Sequence, residues 1–163
     1  MTWIGGIFSK VNMRQGELRK ELALMTETAC SASEPSAVVY PRYISSIIDD
    51  ANSKALAKVS LPVEGESPEH VYRDYQEKLA LIYDGHLYNS ESTGSKLSRA
   101  QHRVNETAAE SLVHLLAELP GNLEQKVRWA LTDLDGDYAL AVSDTDLIVI
   151  SRNSLGTKPL YFA

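Results

Sequence analysis

The stretch DYALAVSDTDLIVIS, residues 137–151, constrains the fold more than any other part of the chain. Two runs rich in apolar and β-branched residues, Asp137–Ser143 and Leu147–Ser151, are separated only by Asp144-Thr145-Asp146. Such runs read as strands. A three-residue connection can join only antiparallel neighbours, because a parallel crossover needs a dozen or more residues. The chain therefore contains an antiparallel sheet.

The remaining elements must pack around that sheet. Trp3–Phe8 (WIGGIF) reads as a strand that starts almost at the first residue. From Gly16 to about Ser31, Leu18, Leu22 and Met25 recur at helical spacing. Ser36–Tyr40 reads as a strand ended by Pro41, and Leu56–Leu61 as another bounded by Pro62. Ser67 and Pro68 suit the cap and first position of a helix running to about Lys78. The apolar run Leu79–Tyr83 is closed by Asp84-Gly85, which reads as a turn. Ser90–Ser98 is polar and reads as a mobile loop. Helices are expected over Thr107–Leu119 and, after the Pro120-Gly121 break, over Leu123–Leu131. A last strand is expected at Pro159–Phe162. No Gly-rich phosphate loop of standard spacing occurs, which argues against a nucleotide-binding doubly wound fold. A layered α+β domain with antiparallel sheets is expected.

With 163 residues, the chain reads as one domain spanning 1–163. A net charge of −6 argues against binding nucleic acid or an anionic membrane, both of which call for a basic face. Cys30 is the single cysteine, so an intramolecular disulfide and a thiolate zinc cluster are excluded. Cys30 sits near a helix C-terminus, where the dipole disfavours a thiolate, and reads as a small hydrophobe. His70, His86, His102 and His114 have no ligand spacing, and neither a metal nor a cofactor is expected. Apolar runs fall well short of the roughly 20 residues a membrane span needs. With no signal-peptide pattern either, a cytoplasmic location is expected.

Three segments taken in order carry a resemblance: MTWIGGIF, LALIYDGHLYN and LDGDYALAVSDTDLIVISRNSLGTKPLYFA. They resemble the glutaminase domain of class II glutamine amidotransferases, most of all that of asparagine synthetases. There the segments read roughly MCGIxGIF, VxNGEIYN and LxGxFAFAIxD followed by RDRxGxKPLYY. Leu134, Gly136, Arg152, Gly156, Lys158, Pro159, Leu160 and Tyr161 all match. The resemblance implies a four-layer αββα sandwich of the N-terminal-nucleophile hydrolase type.

It also implies a site, and the chain departs from that site at several positions. The family nucleophile is a cysteine freed by methionine removal, whose α-amine, with a free pKa of about 7.7–8.0, acts as base. Thr2 stands there instead, a permissible nucleophile only if Met1 is removed, and Trp3 replaces the adjoining glycine. The family oxyanion donors are an Asn amide and the next Gly N–H. Gly85 is kept, but Asp84 takes the Asn position, and a carboxylate has no hydrogen to donate. Losing one such donor costs about 10²–10³ in rate. Arg42 is the candidate anchor for the substrate carboxylate, with a surface-loop arginine as the alternative. Asn89 matches the closing Asn of the middle motif and is expected to fix its loop. The amino-group anchor, an Asp in the family, corresponds to Ala108, and Glu106 is the candidate substitute.

The expected function is a class II amidotransferase-like domain that is not a competent glutaminase. It would act as a structural or regulatory module with a separate synthetase or transferase subunit, since no ATP loop is present. Two alternatives stand beside it. One is an amidohydrolase using processed Thr2, and the other a module that binds glutamine or a related amino acid.

Overall fold

The computed structural model describes residues 3–8, 16–32, 43–49, 54–60, 71–89, 107–158 and 160. Its elements in chain order are β1 (Trp3–Phe8), α1 (Glu17–Ala32), β2 (Tyr43–Asp49), β3 (Lys54–Ser60), β4 (Val71–Arg73), β5 (Ala80–Leu87), α2 (Ala108–Glu118), α3 (Leu123–Asp133), β6 (Gly136–Ser143) and β7 (Ile148–Arg152). They fall into two units, one built from β1, α1, β2 and β3, the other spanning Tyr72–Lys158.

In the first unit, β3 is the central strand of a three-stranded sheet ordered β1-β3-β2, and both pairings are antiparallel. Leu18 and Leu22 lie one turn apart on α1 and are buried against Ala55 and Ala57 of β3. The small alanines let the helix approach the sheet closely. Thr26 continues that stripe, and its hydroxyl is satisfied by the Ala23 carbonyl at 2.8 Å.

The second unit is a four-stranded sheet ordered β4-β5-β6-β7, with α2 and α3 packed on one face. Alternation along the strands decides which face that is. Leu81, Tyr83 and Leu87 of β5 join Tyr138, Leu140 and Val142 of β6 against Leu112, Val113 and Leu116 of α2 and Leu123 and Val127 of α3. Each helix opens with a reciprocal capping box. Thr107 Oγ1 accepts from Glu110 N while the Glu110 carboxylate accepts from Thr107 N, and Asn122 and Gln125 do the same for α3. The orphan donors of both first turns are thereby reduced.

The hairpin of residues 137–151 forms as expected, with Ser143 opposite Ile148. Three expectations need correction. Residues 71–78 are not helical: β-branched Val71 and aromatic Tyr72 enter β4, and the chain then turns. Asp74 makes that turn by accepting from Gln76 N at 3.3 Å and Leu79 N at 2.7 Å, and Glu77 adopts φ 55°. Asp84-Gly85 is not a turn, because β5 runs through it to Leu87 in unbroken register with β6. A strand at Tyr43–Asp49 stands where the sequence pattern predicts no element. The expected strand at Ser36–Tyr40 and loop at Ser90–Ser98 lie outside the described residues. So does the expected strand at Pro159–Phe162, apart from Leu160.

Candidate functional site

The far end of β5 and the start of β6 gather the polar groups of the second unit. Register places Asp84 opposite Ala139, Gly85 opposite Tyr138 and His86 opposite Asp137. Ala139 in turn faces Arg152 on β7. Directly paired residues share a face, so Asp84, Ala139 and Arg152 form a row on the face away from α2 and α3.

Asp84 is largely covered, and Lys158 Nζ lies 3.4 Å from its Oδ2. The lysine reaches it from the turn after β7, and that turn is held by Asp137. Asp137 Oδ1 accepts from Asn153 Nδ2 at 3.2 Å and from the Thr157 hydroxyl at 2.9 Å. Its Oδ2 accepts from the Tyr88 hydroxyl at 2.5 Å. Asn153 closes the same turn, with Oδ1 accepting from Thr157 N at 3.2 Å and its carbonyl from Gly156 N at 3.0 Å. The Tyr88 and Thr157 hydrogen bonds hold the Asp137 carboxyl below its ordinary range, reinforced by the charge of Lys158. The same bond raises the Tyr88 phenol. Burial, then the neighbouring Asp84 charge, raises Tyr83.

Gly85 has φ +142°, and a Cβ built on it would meet the Asp137 carbonyl oxygen at 2.0 Å. Only glycine fits this approach of β5 to β6. Asn89 bridges the last residue of α3 and the connection after it, donating to the Asp133 carbonyl at 2.5 Å and accepting from Asp135 N at 3.1 Å. Tyr88 N adds a bond to the Asp135 carbonyl at 2.8 Å. The end of β5 is thus tied to the α3–β6 connection.

Of the site residues read from the sequence, Asp84, Gly85 and Asn89 lie along one strand and its exit. Thr2, Arg42 and Glu106 lie outside the described residues. Glu110 completes the capping box of α2 begun by Thr107, and Ala108 opens that helix. Asp137 and Tyr88 went unnoticed, because their contact joins residues far apart in sequence. Lys158 belonged to the GTKP motif, but its pairing with Asp84 was not foreseen. Among the described residues, no group of three or more His, Cys, Asp or Glu side chains could hold a metal ion. Among them no helix is long and apolar enough to cross a membrane.

A family profile described as the glutamine amidotransferase domain matches residues 56–163. The chain belongs to that family. This glutamine amidotransferase domain is also similar to solved structures. One is the allosteric regulatory enzyme of purine biosynthesis, with a TM-score of 0.52 and 22% identity over 63% of this chain and 24% of that one. Another is the glutamine phosphoribosylpyrophosphate amidotransferase from B. subtilis complexed with ADP and GMP, with a TM-score of 0.52 and 20% identity over 63% of this chain and 23% of that one. The domain thus spans about a quarter of the length of these proteins. The likeness shows the fold, the mixed α and β architecture with antiparallel sheets of N-terminal-nucleophile hydrolases. No curated protein matches the sequence.

Proposed function

We propose that this class II glutamine amidotransferase-like domain, related to those of asparagine synthetases, is no longer a competent glutaminase. It serves as a structural or regulatory module beside a synthetase-type partner. One observation carries the reading. Asp84 stands where the resemblance calls for a neutral amide donor, and its carboxylate is engaged by Lys158 at 3.4 Å. An ionised carboxylate cannot donate to a developing oxyanion and repels it, whereas the family chemistry needs preorganised donors there. Thr2 in place of cysteine and Trp3 beside it point the same way. The reading treats residues 1–163 as one domain acting in the cytoplasm.

The test is ammonia release from glutamine and asparagine, on protein whose intact mass shows Met1 removed. Release no faster than buffer is the expected result. Release that disappears in Thr2→Ala would overturn the reading in favour of a Thr2-dependent amidohydrolase.

A further inference from the structure

The opposite end of the four-stranded sheet carries a cavity. The β4–β5 turn, the last turn of α2, the first turn of α3 and the β6–β7 turn enclose 580 Å³ there. Small-molecule sites span about 300–1,000 Å³. Leu79 lines the cavity just before β5 begins, whereas Asp84 lies five residues further on, about 16 Å at the rise of a strand. Three kinds of group form its wall. Leu79 and Leu123 are apolar and buried. Tyr75 stacks on His114, with ring centroids 3.8 Å apart and planes 14° from parallel. Buried His114 covers one face of the tyrosine, yet Tyr75 is 59% exposed, so its exposed area falls on the other face and the edge. Lys78 and Lys126 bring positive charge, Glu118 and Asp144 negative charge. Lys126 is steadied from the neighbouring helix, its Nζ donating to the Ala117 carbonyl at 3.3 Å.

Each kind of group narrows the ligand. An inorganic ion gains nothing from the ring and the two leucines. A wholly apolar molecule would strip water from four charges without pairing any of them. A ligand of one sign would answer half of the rim and be repelled by the other half. We infer that the cavity binds a zwitterionic aromatic α-amino acid. Its ring stacks on the outer face of Tyr75, as aromatic pairs favour. Its ammonium meets Glu118 and Asp144, and its carboxylate meets Lys78 and Lys126, through charge-assisted hydrogen bonds that fix its orientation. The site lies apart from residue 84, so it stands whether or not the domain hydrolyses glutamine.

Calorimetric titration of the full chain with L-phenylalanine tests it, beside three probes that each lack one feature. Phenethylamine has no carboxylate, 3-phenylpropionate no ammonium and L-leucine no ring. L-Phenylalanine should bind saturably, and each probe about tenfold more weakly, the scale of one charge-assisted bond or one ring pair. Tyr75→Ala should weaken L-phenylalanine about three- to tenfold. Lys126→Met should weaken L-phenylalanine and 3-phenylpropionate but leave phenethylamine unchanged. Should Tyr75→Ala fail to fold in a thermal melt, the Lys126→Met pattern carries the test. Absence of saturable binding, equal binding of L-leucine or phenethylamine, or unchanged affinity in the folded variants would overturn the inference. So would competition by glutamine, which would place the bound amino acid outside this cavity.

Discussion

Gly85 faces Tyr138 across the β5–β6 ladder so closely that a Cβ on the glycine would sit 2.7 Å from the Tyr138 Cα. The clash with the Asp137 carbonyl would be worse still, at 2.0 Å. Both obstacles are backbone, so no rotamer change relieves them. Gly85→Ala also places a side chain at φ +142°, outside the comfortable range of L-residues. The substitution is expected to destabilise the protein by about 2–4 kcal/mol, combining strain and overpacking. Urea denaturation measures it, and a loss below half a kilocalorie would show that the strands separate freely.

The two capping boxes give a smaller and additive signal. Thr107→Ala and Asn122→Ala should each cost about 1 kcal/mol. The boxes share no residue, so the double variant should lose close to the sum. Thermal melts of the three variants check this, and marked non-additivity would mean that α2 and α3 start cooperatively.

Leu116 is 1% exposed and lies in the core between α2 and the four-stranded sheet. Leu116→Ala is expected to cost about 2–5 kcal/mol through lost burial and the cavity left behind. Exposed Trp129 on α3 makes the contrast, since Trp129→Ala removes little that is buried. Comparing their denaturation midpoints tests the assignment of the core.

Stability should depend on pH at both extremes, for opposite reasons. The Asp137 carboxyl is lowered from its ordinary value of 3.8, so its contribution is present above that value and is lost as acid protonates the folded form. Asp137→Asn should flatten the acid limb of a stability–pH profile. Tyr83 is raised from 10.0, so the unfolded chain ionises first and stability declines as pH rises past 10. Tyr83→Phe should remove that part of the alkaline decline, and an unchanged alkaline limb would mean that other groups dominate it.

Much of this architecture was written in local patterns. The Asp-Thr-Asp link dictated a hairpin because so short a connection permits nothing else, and Leu112 and Leu116 announced a helix by their spacing alone. Local signals misled where a distant contact decided the outcome. Asp84-Gly85 has turn composition, yet Gly85 is there to admit the Asp137 carbonyl of a strand remote in sequence. Ser67-Pro68-Glu69 resembled a helix start, but Val71, Tyr72 and the Asp74 side chain committed the following residues to a strand and turn. The pairing of Asp84 with Lys158 had no local trace at all. Each residue was visible in its own motif, and only the fold brought them together.

The bonds that Asn89 makes to Asp133 and Asp135 involve none of the positions where this chain departs from the amidotransferase pattern. The Asp137 turn is built from Tyr88, Asn153 and Thr157, and it closes although Asn153 stands where the family segment carries Asp. Scaffold and reactive positions thus mutate under separate constraints. A lineage can exchange the groups at residues 2 and 84 while its frame continues to assemble. On the function proposed above, Thr2→Cys with Asp84→Asn would revert two of the departing positions and leave Trp3 and Ala108 as they are.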